Sequence, residues 1–121
     1  MKLIKTVLIT ISLFLSTFSY SAVKIEAKEA PFYTGEEVIA CGQLMQITRF
    51  KRGVYLNLEA VYPKQPLTFV LWEDDIAPFQ DQNGSIQSLI NKRLCGKGKV
   101  TEYKGRSQIS LYNMFSLKVD H

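Results

Sequence analysis

Hydrophobic and polar residues alternate over much of the chain after residue 37, in short runs that end at turn-forming residues. The alternation is clearest in the run VYLNL at residues 54–58. A period of two is typical of a strand with one buried face and one exposed face. The pattern predicts five strands, at residues 38–48, 54–58, 67–72, 94–103 and 106–117.

One segment between the third and fourth predicted strands has helical spacing instead. It covers residues 76–91, is interrupted at Asn83 and Gly84, and can be capped again by Ser85. The side chains expected on its buried stripe are Ile86, Leu89 and Ile90. Two hairpins and one helix in this order give the connectivity of an OB-fold. We therefore predict an all-β protein, a five-stranded OB-fold Greek-key barrel with one helix between the third and fourth strands.

The first 21 residues have the features of a signal peptide. Lys2 and Lys5 make a positive start, an apolar run follows, and small residues precede the expected cleavage point after Ser21 or Ala22. The apolar run is short for a bilayer and is diluted by hydroxyl residues, which disfavours a permanent membrane anchor. We expect an exported protein, periplasmic or secreted, with a signal peptide at 1–21, an N-terminal extension at 22–37 and the OB-fold domain at 38–121.

Basic residues are concentrated in two predicted hairpins. The chain has 15 basic and 11 acidic side chains, and loss of Lys2 and Lys5 leaves 13 against 11, a net charge of +2. That net charge alone does not argue for nucleic acid. The hairpin sequences RFKRG at residues 49–53 and YKGR at residues 103–106 are more informative. An OB-fold places two such loops beside its binding face.

The candidate ligand-binding residues are basic, aromatic and polar side chains in and around these hairpins. Basic groups suit phosphates, and exposed rings suit base stacking. Structural roles compete, since Phe50 and Trp72 can close the barrel ends and lysines can solubilise exposed strands. Trp72 belongs to the set if the third strand turns its even-numbered residues outward. The full set is Arg49, Phe50, Lys51, Arg52, Tyr55, Asn57, Trp72, Lys97, Lys99, Tyr103, Lys104, Arg106, Gln108 and Tyr112.

Cys41 and Cys95 are the only cysteines. An exported chain meets an oxidising compartment, where two cysteines that are the only ones in a chain usually form a disulfide. In an OB-fold the first strand pairs with the fourth, and the two cysteines fall on those strands with both thiols facing outward. We therefore predict a structural disulfide. Two thiols and the terminal His121 make a poor ligand set, so we expect no metal and no cofactor.

The sequence offers no catalytic constellation. Its single histidine is the last residue, where fraying is expected, so a Ser–His or Cys–His pair lacks its base. Glycine-rich phosphate loops and metalloprotease patterns do not occur in it. The acidic residues 73–75 suit a helix N-terminus better than a metal site. We expect that the protein is not an enzyme.

Five segments suggest a family, at residues 33–38, 41–42, 62–66, 95 and 103–109. On these segments the chain resembles small bacterial OB-fold domains of the anticodon-binding type, which occur in exported proteins and beside some secreted nucleases. Gly96 and Ser107 differ from those domains, which usually carry a β-branched residue and a proline there. The resemblance implies nucleic-acid binding.

The sequence therefore favours a non-catalytic exported module that binds single-stranded DNA or RNA through the two basic hairpin loops. The alternative is an accessory domain that binds a periplasmic protein or an envelope glycan. OB-folds also bind oligosaccharides on this face, and open barrel edges receive peptide strands. No stable membrane anchor is expected after cleavage.

Overall fold

The computed structural model describes residues 22–120, and the predicted signal peptide lies outside the described residues. Within that range no helix has the length and apolar character needed to cross a bilayer. The described chain is mostly β. Its strands are β1 Val23–Glu26, β2 Glu37–Phe50, β3 Gly53–Leu58, β4 Leu67–Trp72, β5 Arg93–Tyr103, β6 Arg106–Ser110 and β7 Leu117–Val119.

The described strands number seven, so the predicted count of five is wrong. Strands β2 to β6 correspond to the five predicted strands, although β6 ends at Ser110 rather than at Leu117. The two additional strands, β1 and β7, have four and three residues. Runs of that length are too short to show a period in sequence.

The long strand β2 pairs with two partners. Residues 37–43 run antiparallel to β5, and residues 44–50 run antiparallel to β3. Strand β3 pairs antiparallel with β4, β4 pairs parallel with β6, and β6 pairs antiparallel with β5. The pairings thus run in a ring through β2, β3, β4, β6 and β5. Strand β1 adds in parallel to β2, and β7 adds antiparallel to β5.

The core lies inside this ring of strands. The predicted inward residues of β3, Val54, Leu56 and Leu58, are all buried. The apolar run of β4 left its orientation open, and the structure places Leu67, Phe69 and Leu71 in the core. The even-numbered residues of β4, including Trp72, therefore lie on the outward face, because alternate residues of a strand point to opposite faces.

The N-terminal segment before β2 also contributes to the core. A 3-10 helix at Ala27–Tyr33 follows β1, and Ile25, Ala27 and Ala30 are buried against the barrel. Residues that the sequence assigned to an extension therefore pack with the β-sheet.

One α-helix, α1 at Glu73–Asn83, connects β4 to β5, and a 3-10 helix at Ile86–Leu89 follows it. Gly84 ends α1 with a φ of 83°, a conformation that glycine adopts without strain. Ser85 caps the 3-10 helix by accepting a hydrogen bond from the backbone N–H of Ser88. Burial of Ile90 was predicted wrongly: this residue lies beyond the helix end and is 36% exposed.

Gly96 on β5 explains one departure from the family resemblance. A Cβ atom at this position would lie 2.6 Å from Cζ of the buried Phe69 ring. Real Cβ atoms do not approach other atoms so closely, and both positions belong to the densely packed interior. A β-branched residue at Gly96 therefore requires a smaller residue than Phe69 opposite it.

Cys41 and Cys95 form a disulfide between β2 and β5, as predicted. The two residues lie directly opposite each other in the register of the strands, with their Cα atoms 4.0 Å apart. Although the thiols were expected to face outward, Cys41 is fully buried, because the edge strand β1 pairs with β2 and places Glu26 opposite Cys41. The disulfide thus links β2 covalently to β5 at a point where β1 covers β2.

Arg93 connects the two added strands beside this disulfide. Its Nη1 and Nη2 atoms donate hydrogen bonds to both carboxylate oxygens of Glu26, the first at 2.8 Å. Its Nε atom donates to Oδ2 of Asp120, directly after β7, at 2.9 Å. The hydrogen bonds from Arg93 lower the pKa of the Glu26 carboxyl, and the two carboxylates raise the pKa of Arg93. One guanidinium thus holds both edges of the β1–β2–β5–β7 sheet.

Candidate functional site

A row of amide and hydroxyl side chains crosses the outward face of four strands. Gln46 of β2 lies opposite Asn57 of β3, Asn57 lies opposite Thr68 of β4, and Thr68 lies opposite Gln108 of β6. The Nδ2 atom of Asn57 donates to Oε1 of Gln46 at 2.8 Å, and the Thr68 hydroxyl donates to Oδ1 of Asn57 at 2.7 Å. These bonds make a polar floor, which we call the amide row.

A loop between β3 and β4 rises beside the amide row. The backbone N–H of Tyr62 donates to Oε1 of Gln46 at 2.8 Å, which fixes the loop to the floor. Gln65, from the same loop, is buried and donates from Nε2 to the Thr68 hydroxyl at 3.3 Å. The Tyr62 ring remains exposed, with 58% of its surface accessible.

The last hairpin, between β5 and β6, forms the opposite wall. The Cζ atom of Arg106 lies over the Tyr62 ring at 4.5 Å from its centroid, within the range of cation–π attraction. Lys104 Nζ lies 5.4 Å from the centroid of the Tyr103 ring, which is itself 55% exposed. Both cations thus come from the last hairpin, and each lies beside an exposed phenol ring, one on its own wall and one on the opposite wall.

The floor and the two walls enclose a cleft of about 560 Å³. Three tyrosines and two cations line it, and none of the described residues around it is acidic. Six of the fourteen predicted binding residues meet there: Tyr55, Asn57, Tyr103, Lys104, Arg106 and Gln108. Asn57 is only 3% exposed, and its amide is hydrogen-bonded to neighbours, so it supports the floor of the cleft.

Six further cleft residues were missed by the sequence reasoning: Gln46, Thr48, Tyr62, Gln65, Thr68 and Ser107. A register shift between Leu44 and Gln46 explains the two on β2. Even-numbered residues of β2 face inward up to Leu44 and outward from Gln46 onward. The change from apolar to polar even positions in β2 was the signal available in the sequence. The loop residues Tyr62 and Gln65 had no such signal in the sequence, because Pro63 and Pro66 indicated only a connection between two strands.

Two other predicted residues continue the same face toward the first hairpin. Phe50 stacks on Tyr55 with ring centroids 4.3 Å apart and planes at 16°, and meets Trp72 edge-on at 5.9 Å. The Trp72 indole N–H donates to the Ser110 hydroxyl at 2.8 Å. The three rings form an aromatic cluster next to the cleft, joined to it through Tyr55.

The charges of the first hairpin are arranged differently from those of the last. Arg49 makes a two-oxygen contact with the Glu73 carboxylate, at 3.0 and 3.1 Å, and lines a separate groove beside α1. Lys51 and Arg52 lie at the exposed turn after β2. Arg49 therefore faces away from the cleft, whereas Lys51 and Arg52 stand at the end of the face that carries the aromatic cluster.

The remaining predicted residues lie outside the cleft. Lys97 and Lys99 are exposed on the part of β5 that pairs with residues 37–39 of β2, whereas the cleft uses the second half of β2. Tyr112 is 65% exposed, with its hydroxyl 3.5 Å from a carboxylate oxygen of Glu37. The structure thus gathers the candidates around the last hairpin rather than equally around both.

These observations define a mostly β, OB-fold-like protein with a cleft on one sheet face that is lined by tyrosine, amide, hydroxyl and basic side chains. No protein-family profile and no curated protein matches the chain. Similar solved structures include the OBody AM3L15 bound to hen egg-white lysozyme, with a TM-score of 0.53 and 13% identity over 78% of this chain and 91% of that one.

Two natural proteins also have similar solved structures. A chain described as an aspartyl-tRNA synthetase from Leishmania major Friedlin has a TM-score of 0.55 and 11% identity, over 88% of this chain and 22% of that chain. A chain of the S. pombe Stn1–Ten1 complex has a TM-score of 0.51 and 13% identity, over 75% and 68%. At these identities the likeness shows the fold alone.

Proposed function

We propose that this protein is a non-catalytic binding module for single-stranded nucleic acid. In this proposal the nucleic acid lies in the cleft between the Tyr62 loop and the last hairpin. The observation that carries the proposal is the pairing of Arg106 with the Tyr62 ring and of Lys104 with the Tyr103 ring. Both pairs border a cleft whose described lining holds no carboxylate.

The groups in the cleft match the parts of a nucleotide. Lys104 and Arg106 supply charge for phosphates, and the exposed rings of Tyr62 and Tyr103 supply surfaces on which bases stack. Gln108, half-buried at the end of the amide row, offers an amide to base edges. A site of this composition binds with a contribution from stacking and a separate contribution from charge.

The cleft is one part of a longer surface. The aromatic cluster of Phe50, Tyr55 and Trp72 continues the same sheet face toward Lys51 and Arg52. From Asn57 back to the start of β3 at Gly53 is about 13 Å at the usual strand rise. A nucleic-acid strand several nucleotides long would reach from the cleft to the first hairpin, which keeps both basic hairpins in the proposed interface.

The structural comparisons support the fold and leave the ligand open. One similar chain is described as a tRNA synthetase, whereas an OBody is bound to lysozyme, a protein. The second candidate is therefore an accessory domain for a periplasmic protein or an envelope glycan. The observation that favours a glycan is the pair of half-buried amides at the two ends of the amide row, Gln46 and Gln108, because amides also hydrogen-bond sugar hydroxyls.

We also propose that the protein is exported. The disulfide between Cys41 and Cys95 supports this, because such bridges persist in oxidising compartments. Mass spectrometry of the protein recovered from its own cells tests the cleavage that the sequence predicts. A chain that starts at Ala22 or Val23 is expected, and an intact chain starting at Met1 in the membrane fraction would contradict it.

Fluorescence polarisation with labelled single strands tests the binding proposal. The oligonucleotides are about eight nucleotides long, and each titration is repeated at about 50 and about 200 mM salt. We expect affinity to fall as salt rises, because phosphate contacts release counterions. Absence of binding, or binding that ignores salt and is displaced by a neutral glycan, would refute the proposal.

Tyrosine variants test whether the rings of the cleft stack on bases. Tyr62→Ala and Tyr103→Ala should each weaken binding by ~1–3 kcal/mol if a base stacks there. Tyr112→Ala is the matched control, since this tyrosine is 65% exposed but lies outside the cleft. Equal losses in all three variants would show that the cleft has no special role.

A further inference from the structure

Gln65 carries a hydrogen-bond acceptor that nothing in the described structure uses. Its side chain lines the cleft, and the residue is 8% exposed. Its Oε1 atom is the one side-chain oxygen or nitrogen among the described residues that is buried without a hydrogen-bond partner. Such atoms are rare in folded proteins because an unpaired buried acceptor raises the free energy of the folded state. A hydrogen-bond donor from a bound ligand would remove that cost.

The neighbouring donors are already committed to other acceptors. The Thr68 hydroxyl donates to Asn57 Oδ1 at 2.7 Å, and Asn57 Nδ2 donates to Gln46 Oε1 at 2.8 Å. Exchanging the oxygen and nitrogen of the Gln65 amide would not help, because the Thr68 hydroxyl proton is used. The chain of hydrogen bonds that starts at Gln46 therefore ends at Gln65 with a free acceptor at the wall of the cleft.

We propose that Gln65 Oε1 accepts a hydrogen bond from the ligand and selects nucleobases that carry an exocyclic amino group, cytosine or adenine. This inference rests on the proposed function. Tyr62 and Gln65 belong to one loop and line one cleft, so a base stacked on the exposed Tyr62 ring can turn its edge toward Gln65. Glutamine amides are known partners of the adenine amino group, and carboxylate oxygens of the cytosine amino group.

One long hydrogen bond holds the Gln65 amide in place. The contact that holds it, from Nε2 to the Thr68 hydroxyl, is long at 3.3 Å, and Thr68 keeps its shorter bond to Asn57 when that contact breaks. Thymine and uracil also carry an N–H, but it lies between two carbonyl oxygens. An isolated carbonyl acceptor repels those oxygens, so these bases gain less at this position.

Three labelled oligonucleotides of one length, about eight nucleotides, test the inference from the ligand side. One contains cytosine, one contains thymine, and one contains 2-pyrimidinone, which is cytosine without its amino group. We expect the cytosine strand to bind about tenfold more tightly than the other two, the effect of one hydrogen bond to a buried acceptor. Equal affinity for all three would overturn the inference and leave the proposed function standing.

The substitution Gln65→Met tests it from the protein side, because methionine keeps the length of the side chain and lacks the acceptor. The variant should bind the thymine strand as the wild type does and lose the preference for cytosine. Gln87→Met is the matched control, an exposed glutamine outside the cleft, and should keep the preference. A Gln65→Met protein that still prefers cytosine refutes the inference. If that variant does not fold, the 2-pyrimidinone comparison decides alone; if the wild type binds no strand, the proposed function fails as well.

Discussion

Two arginines that the sequence treats alike differ in the structure, and their substitution should affect binding differently. Arg106 lies over the Tyr62 ring at the cleft, whereas Arg49 is paired with Glu73 beside another groove. Arg106→Gln and Arg49→Gln each remove one positive charge from an otherwise identical protein. Only the first should change the number of phosphates that the protein contacts.

The magnitude follows from the charges in the cleft. Each phosphate contact with a single strand adds about 0.7 to the steepness with which the logarithm of the binding constant falls against the logarithm of the salt concentration. A fourfold rise in salt therefore weakens binding about 2.6-fold per contact. Lys104 and Arg106 together should account for about a sevenfold loss of affinity between about 50 and about 200 mM salt, and any contact with Lys51 or Arg52 adds to the loss equally in all variants. The loss for Arg106→Gln should therefore be about 2.6-fold smaller than for the wild type, and the loss for Arg49→Gln should equal that of the wild type.

Polarisation titrations at four or more salt concentrations give the slope directly. Far-ultraviolet circular dichroism of both variants confirms that they are folded. A slope that is unchanged in Arg106→Gln would refute the assignment of the cleft as a phosphate-binding surface. A slope that falls equally in Arg49→Gln would show that Arg49 also contacts phosphate despite its ion pair with Glu73, and would refute the distinction between the two arginines.

Three further predictions concern the stability of the fold. Reduction of the Cys41–Cys95 bridge, which spans 54 residues, should lower the free energy of unfolding by about 4 kcal/mol in urea titrations; equal midpoints with and without reductant would contradict this. The lowered pKa of Glu26 means that its ionised form stabilises the fold at neutral pH, and this contribution is lost as the pH falls below 4.5. The difference in unfolding free energy between the wild type and Glu26→Gln should therefore shrink in acid. A difference that stays constant with pH would contradict this. Gly96→Ala should lower the free energy of unfolding by ~1–3 kcal/mol through the clash of the new Cβ atom with Phe69. In a double-mutant cycle, Phe69→Leu should recover part of that loss. Strict additivity of the two changes in unfolding free energy would exclude the clash.

Local pattern was sufficient for the main strands and for the inward side of β3. The alternation of Val54, Leu56 and Leu58 with polar residues reports a half-buried strand without any knowledge of its partners, and all three are buried. The disulfide could also be predicted, because the order of the strands places Cys41 and Cys95 on neighbours. These features depend on residues close in sequence or on connectivity alone.

The cleft depended on tertiary structure because its parts meet only through register and loop packing. The shift between Leu44 and Gln46 reverses the face of β2, and pairing then brings Gln46 opposite Asn57. The hydrogen bond from the Tyr62 backbone to Gln46 folds the loop over the floor. Apart from the change from apolar to polar even positions in β2, these contacts leave no period and no local motif in the sequence.

Competition between side chains also decided which charges are available for a ligand. Sequence placed Arg49 and Arg106 in equivalent basic hairpins, but helix α1 begins with Glu73 next to Arg49, and the two charges pair. No described carboxylate lines the cleft beside Arg106, and its guanidinium lies on a tyrosine ring. Sequence alone determined that the chain carries basic, aromatic hairpins on a mostly β fold. The tertiary structure decided which of them lines the candidate cleft and which one has its arginine in an ion pair, because an ion pair depends on distances in space between residues that are far apart along the chain.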